Sequence, residues 1–179
     1  MRRLLLLLRH GKADRHSAGG DRERPLTSRG EEDARHLGQY IQAEFPTPDL
    51  AVTSDARRAK RTLDLALKAF PHPPPQIVDN SLYLASVDHL LETLRQTPDK
   101  VTTLLAVGHN PGFGELAITL AGAGDSEELA ELQMKFPTCA LAALAFDVDH
   151  WAMVQNGAGR LERFVSPAKL REDPNDDHD

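Results

Sequence analysis

A chain of 179 residues, 40% hydrophobic and 27% charged, carries enough apolar side chain for one ordinary core. Its formal charge is −6, but −4 of that sits in the last nine residues, where Arg171 stands against Glu172, Asp173, Asp176, Asp177 and Asp179; the body is near −2 and offers no basic surface for nucleic acid or an anionic membrane. The single cysteine, Cys139, excludes an internal disulfide framework and a cysteine zinc site, and fits a reducing, cytoplasmic compartment.

The first element is the run Leu4-Leu5-Leu6-Leu7-Leu8, followed by Arg9, His10 and Gly11. Five apolar residues are too few for a secretory leader core, which needs roughly 7–15, and far too few for a membrane span of about 20. A run without alternation reads as a strand buried on both faces, as in a parallel sheet. Next, "SRGEEDARHLGQYIQAEF" places Ala34, Leu37, Ile41 and Phe45 at helical spacing, with Ser28 and Glu31 as a capping box. Leu50 to Thr53 predicts a strand, and Asp55 to Phe70 a helix with Ala59, Leu63, Ala66, Leu67 and Phe70 on one face. The Pro-rich stretch Pro71 to Gln76 is a connection, and Gln76 to Val78 a short strand. Val87 to Leu94 predicts a helix, Thr102 to Val107 a second buried strand ending in "GHNPG", and Gly112 to Ala121 another helix. Late in the chain, Cys139 to Phe146 and Trp151 to Gln155 read as two antiparallel strands joined across Asp147–His150. The fold class is therefore α/β, with a mostly parallel sheet and an antiparallel edge. One domain spans residues 1–170, and 171–179 reads as an acidic, disordered tail.

In such sheets ligands bind outside the carboxyl ends of the strands. That rule selects Arg9-His10-Gly11, the turn Ser54 to Arg58, and Gly108-His109-Asn110. Of eight histidines, His16, His36, His72, His89, His150 and His178 fall in helices, loops or the tail and read as structural. His10 and His109 each follow a buried run beside a glycine, which marks them as candidates for chemistry. Arg9, directly after five buried leucines, needs an anion partner. Arg58 lies in the first turn of a predicted helix, where N–H groups also favour an anion, although it is equally a surface arginine of the run "RRAKR". No P-loop or dinucleotide-binding glycine motif is present. A metal held by His10, His109 and Asp14 is disfavoured by two arginines aimed at the same pocket.

Four segments, "LRHGKA", "RPLTSRG" (Arg24 to Gly30), "TSDARRAKRT" (Thr53 to Thr62) and "VGHNPG" (Val107 to Gly112), in this order resemble the histidine phosphatase superfamily, and most closely its SixA-type phosphohistidine phosphatase branch. The resemblance implies a three-layer α/β/α, phosphoglycerate-mutase-like fold. It implies His10 as nucleophile, with Arg9, Arg58 and His109 forming the phosphate pocket, and Arg24, Gly11 and Asn110 as further substrate contacts. Arg57 is the substitute should the register slip by one. It implies no cofactor and no metal, because cationic side chains supply the charge. Neutral His10 would attack phosphorus and form a phosphohistidine, while Arg9, Arg58 and a protonated His109 stabilise the equatorial oxygens. Family members acting on phosphate esters use a carboxylic acid to protonate the leaving oxygen. Around "VDNSLYLAS" the only carboxylate is Asp79, a weak candidate. Its weakness tilts the expectation towards a phosphohistidine-containing protein as substrate. A small phosphorylated metabolite is the alternative, and a non-catalytic phosphate-binding domain the reading from another class. Specificity is expected from the loops Lys12 to Arg24, Asp79 to Asp88 and Ala123 to Lys135. The oligomeric state is left open.

Overall fold

The computed structural model describes residues 1–172. A seven-stranded sheet forms from β1 (Arg2–Arg9), β2 (Leu50–Thr53), β3 (Gln76–Val78), β4 (Thr103–Gly108), β5 (Ala121–Gly124), β6 (Leu141–Asp147) and β7 (Gly159–Val165), in the order β3-β2-β4-β1-β6-β7-β5. Every neighbouring pair is parallel except those made by β6, which runs antiparallel to both β1 and β7. The helices are α1 (Ser28–Glu44), α2 (Arg57–Leu67), α3 (Val87–Arg95), α4 (Gly112–Leu120), α5 (Ser126–Met134) and α6 (Pro167–Glu172).

The leucine run explains the layering. Leu4, Leu6 and Leu8 point to one face and join Leu37 and Ile41 of α1 and Leu63 and Ala66 of α2. Leu5 and Leu7 point to the other and join Leu90, Leu91 and Leu94 of α3 and Leu116 and Leu120 of α4. A strand covered on both faces cannot alternate, and each such leucine contributes about 2 kcal/mol by burial. On the first face α1 and α2 approach backbone to backbone: a Cβ on Gly38 would lie 2.2 Å from the Ala66 carbonyl oxygen. Among the described residues no helix is long and apolar enough to cross a membrane.

Several expectations need correction. The antiparallel strand is internal, not at an edge, because β7 and β5 extend the sheet beyond it. Trp151 to Gln155 is not its partner. Trp151–Met153 is a 3-10 turn whose buried indole N–H donates to the Val101 carbonyl, 2.6 Å away, and the strand pairing with β6 is Gly159–Val165. The N-cap of α1 is Thr27, whose Oγ1 accepts from the Gly30 amide; Glu31 lies a turn further on and pairs with Arg61. Residues 123–135 form the end of β5 and α5 where a loop was expected. Arg171 belongs to α6, where its Nη2 donates to the buried Asp33 of α1 at 2.6 Å. The acidic remainder of the expected tail lies outside the described residues.

Candidate active site

Three strand ends build the site. β1 pairs with β4 so that Arg9 stands beside Gly108, and β4 pairs with β2 so that Thr53 stands beside Val107. His10, His109 and Ser54, each the first residue past its strand, therefore emerge side by side. The His10 amide donates to the Gly108 carbonyl, and the two imidazole centroids are 5.1 Å apart. The pocket above them encloses roughly 470 Å³ and is lined by Arg9, His10, Lys12, Asp21, Arg24, Arg58, Tyr83, Leu84, His109, Asn110 and Thr138, with Ala13 between.

His10 is 7% exposed. Its Nδ1 lies 2.8 Å from the Gly11 carbonyl oxygen. A carbonyl can only accept, so Nδ1 carries the proton and Nε2 presents its lone pair to the pocket. Burial lowers the imidazole pKa to about 3; the Gly11 carbonyl pulls it upward, and the charges of His109, Arg58 and Arg9 add to the lowering. Neutral His10 is thus the resting form. Behind it the Cys139 amide donates to the His10 carbonyl, while the Cys139 thiol is buried and pushed upward by desolvation.

Gly11 serves the backbone. A Cβ there would sit 2.7 Å from the Gly30 carbonyl oxygen, and one on Gly30 would sit 2.1 Å from the Lys12 carbonyl oxygen. These two glycines let the segment after β1 lie directly on the start of α1. The Gly11 amide donates to Thr62 Oγ1 at 2.9 Å.

His109 is 3% exposed. Its Nε2 is 2.6 Å from Ser54 Oγ, and Arg58 Nη2 donates towards its Nδ1 at 3.4 Å. Ser54 Oγ also accepts from the Ala56 amide. Nε2 therefore carries the proton and Nδ1 faces the arginine. Burial and then Arg58 lower its pKa to about 4, with Asp21 opposing and Arg9 adding. The expected protonated form is not the resting one, because burial, and then the guanidinium charges of Arg58 and Arg9, disfavour the imidazolium.

Arg58 is the second residue of α2 and is almost fully buried, whereas Arg57 is exposed. Its Nε points to His10 Nε2 at 3.3 Å. Arg9 is half-buried; its Nη1 donates to the Phe136 carbonyl at 2.9 Å, and its buried Nε has no hydrogen-bond partner among the described residues. Burial, then the neighbouring Arg58 charge, holds the Arg9 guanidinium below its usual range. Arg24 stands at the entrance with Nε on Asp21 Oδ1 and Nη1 on the Asp14 carbonyl. Asn110 also lines the pocket, but its amide is spent within the fold: Nδ2 donates to the Phe136 carbonyl and Oδ1 accepts from the Gly114 amide in the first turn of α4.

Asp79 lies apart. Its Oδ1 accepts from the amide and hydroxyl of Ser81 at the start of a 3-10 turn, and it does not line the pocket. From that segment Tyr83 and Leu84 reach in instead. Of the three loops expected to set specificity, residues 123–135 contribute nothing to the lining. Asp14 is exposed, and among the described residues no three His, Cys, Asp or Glu side chains group so as to hold a metal ion.

Asp21 and Tyr83 were not singled out by sequence, and Ser54 only as the first residue of the turn Ser54 to Arg58. Asp21, in a 3-10 turn between "LRHGKA" and "RPLTSRG", accepts from Arg58, Arg24 and the Tyr83 hydroxyl. The Tyr83 hydroxyl, with Arg58 and Arg24 adding, lowers its carboxyl pKa to about 2 against the opposing effect of burial.

A family model of the histidine phosphatase superfamily (branch 1) matches residues 5–82. An uncharacterized protein of Mycobacterium tuberculosis is 36% identical over 163 residues, covering 89% of this chain and 99% of its own. Among solved structures, a candidate phosphohistidine phosphatase SixA from Nakamurella multipartitia superposes with a TM-score of 0.81 at 27% identity, covering 93% of this chain and 97% of that one. Another from Agrobacterium tumefaciens gives 0.76 at 26% identity, over 92% and 98%. With an Arg-His-Gly turn on the first strand and a second histidine on the neighbouring one, this chain belongs to the histidine phosphatase superfamily.

Proposed function

We propose that the protein is a phosphatase working through a phosphohistidine on His10, with a phosphohistidine-bearing protein as substrate. The observation that carries this is the fixed tautomer of His10: Nδ1 is spent on the Gly11 carbonyl, and Nε2 faces Arg58 beside His109. Nε2 attacks phosphorus, a P–N bond forms, and the bond to the leaving group breaks with its electron pair. Arg9, Arg58 and His109 surround the phosphoryl oxygens where charge develops. An incoming dianion offsets the two arginine charges, so His109 takes a proton on Nδ1 and becomes a donor. Water then cleaves the P–N bond, and His10 returns to its neutral form.

The leaving group sets the substrate class. Asp79 is turned away, and the carboxylate that lines the pocket, Asp21, is held ionised by three donors. The Tyr83 hydroxyl is committed to Asp21, and Leu84 carries no acidic proton. An alkoxide leaves poorly without one, whereas a phosphorylated imidazole leaves far more readily. This supports phosphoramidate over phosphate-ester substrates, and the SixA name borne by structural neighbours supports the same reading. The lone buried thiol, Cys139, is in keeping with work in the cytoplasm.

The test is turnover of a phosphohistidine-bearing protein beside 3-phosphoglycerate and simple alkyl phosphates. The expected result is a kcat/KM at least 100-fold higher for the phosphohistidine. Alkyl phosphates or 3-phosphoglycerate running faster would refute the substrate assignment and favour a small phosphorylated metabolite.

A further inference from the structure

We propose that Asp21 is the positioning residue of Arg58: it grips the outer N–H groups of the guanidinium from backbone and side chain together, and so turns Nε and the inner edge of Nη2 onto His10 and His109. This rests on the reading of the pocket as a phosphoryl site.

The contacts divide the guanidinium into two sides. On the outer side, Nη1 donates to the Asp21 carbonyl at 2.7 Å and Nη2 to Asp21 Oδ2 at 3.0 Å. On the inner side, Nε points to His10 Nε2 at 3.3 Å and Nη2 to His109 Nδ1 at 3.4 Å. One hydrogen bond would leave the plane free to turn; two from a single residue fix it. The longer inner distances belong to contacts that a phosphoryl oxygen would replace. Asp21 thus lies behind the arginine and leaves its phosphate-facing edge uncovered.

Asp21 is itself held from several sides. Its Oδ1 accepts from Arg24 Nε at 2.9 Å and its Oδ2 from the Tyr83 hydroxyl. Arg24 is tied in turn to the Asp14 carbonyl, and Arg22 lies over the Tyr83 ring at 4.2 Å while pairing with Asp55. The segment is a clasp, although its carboxylate is about half exposed. A clasp also answers an electrostatic problem. Arg9 and Arg58 are like charges in one pocket, and a fixed carboxylate on one of them offsets part of that repulsion before substrate arrives. The same three donors keep Asp21 ionised and unsuited to donate a proton to a leaving group.

The experiment is a double-mutant cycle of Asp21→Ala and Arg58→Ala, with Asp21→Asn as the conservative variant and thermal melting as the check on folding. Two readouts are taken: calorimetric affinity for inorganic phosphate, and kcat and KM on a phosphohistidine-bearing protein. Asp21→Ala is expected to weaken phosphate binding about tenfold and to lower kcat by more than it changes KM. Asp21→Asn, which keeps an oxygen acceptor, is expected to recover to within about threefold of wild type. In the Arg58→Ala background, removing Asp21 is expected to change nothing beyond twofold. Tighter phosphate binding by Asp21→Ala, or an undiminished effect without Arg58, would overturn the assignment. Should Asp21→Ala fail to fold, Asp21→Asn enters the cycle and must show its loss only while Arg58 is present. A wild-type protein that binds phosphate but spares phosphohistidine would remove the substrate proposal while the cycle still decides on Asp21. One that binds no phosphate overturns both.

Discussion

Two neutral histidines buried beside two arginines make stability depend on pH in a calculable way. Both imidazoles titrate far below the ordinary value near 6.5, at about 3 for His10 and about 4 for His109, and both are nearly sealed from solvent. In the unfolded chain each takes up a proton near 6.5, whereas in the folded protein it stays neutral to much lower pH. Their contribution is therefore complete above pH 6.5 and is lost as pH falls towards 4. The loss is about 1.4 kcal/mol per pH unit for each histidine, so by pH 5 each costs about 2 kcal/mol and the pair about 4 kcal/mol. Urea unfolding of wild type, His10→Gln and the His10→Gln/His109→Gln double variant between pH 7.5 and pH 5 isolates these amounts, since all other groups are common. The wild type should lose about 2 kcal/mol more than the single variant across that interval and about 4 kcal/mol more than the double. Identical pH dependence in all three would show that the histidines titrate in the fold as they do in the unfolded chain, and the account of two imidazoles held neutral far below pH 6.5 would fail. The same logic predicts that phosphorylation of His10 shows no loss with a midpoint near 6.5.

Gly38→Ala should destabilise the protein by about 2 kcal/mol or more in urea unfolding, because its Cβ meets the Ala66 carbonyl rather than a side chain that can swing away; an unchanged midpoint would mean α1 and α2 are not held as described. Arg58→Ala should lower kcat/KM about 100- to 1,000-fold, the scale for removing a donor from a developing oxyanion; a loss under tenfold would place Arg58 outside the chemistry.

What the sequence made legible follows from how locally each feature is encoded. The leucine run announces a strand covered on both faces because burial on both sides needs no partner to be known. His10, His109 and Arg58 stand out because each follows an apolar run or opens a helix. The late strand was misplaced because Trp151 and Val154 are buried in a turn, which mimics a strand's composition, while β7 carries Arg160, Glu162 and Arg163 and looks too polar. Helix α5 buries only Glu128 and Leu132, so its periodicity is faint; Glu128 is satisfied by the Phe164 amide and Lys169, partners distant in sequence. Asp21 could not be found locally at all. It lies in a polar, glycine-containing loop, and its role comes from Arg58 and Tyr83, brought over it by the strand register.

The central claim is that His10 Nε2 takes the phosphoryl group. Incubation with a 32P-labelled phosphohistidine protein, rapid denaturation and peptide mapping tests it directly. The account predicts label on the peptide bearing His10, stable in base and lost in acid, and absent from His10→Ala, which should also lose turnover. Label on another residue, or turnover surviving in His10→Ala, would contradict it.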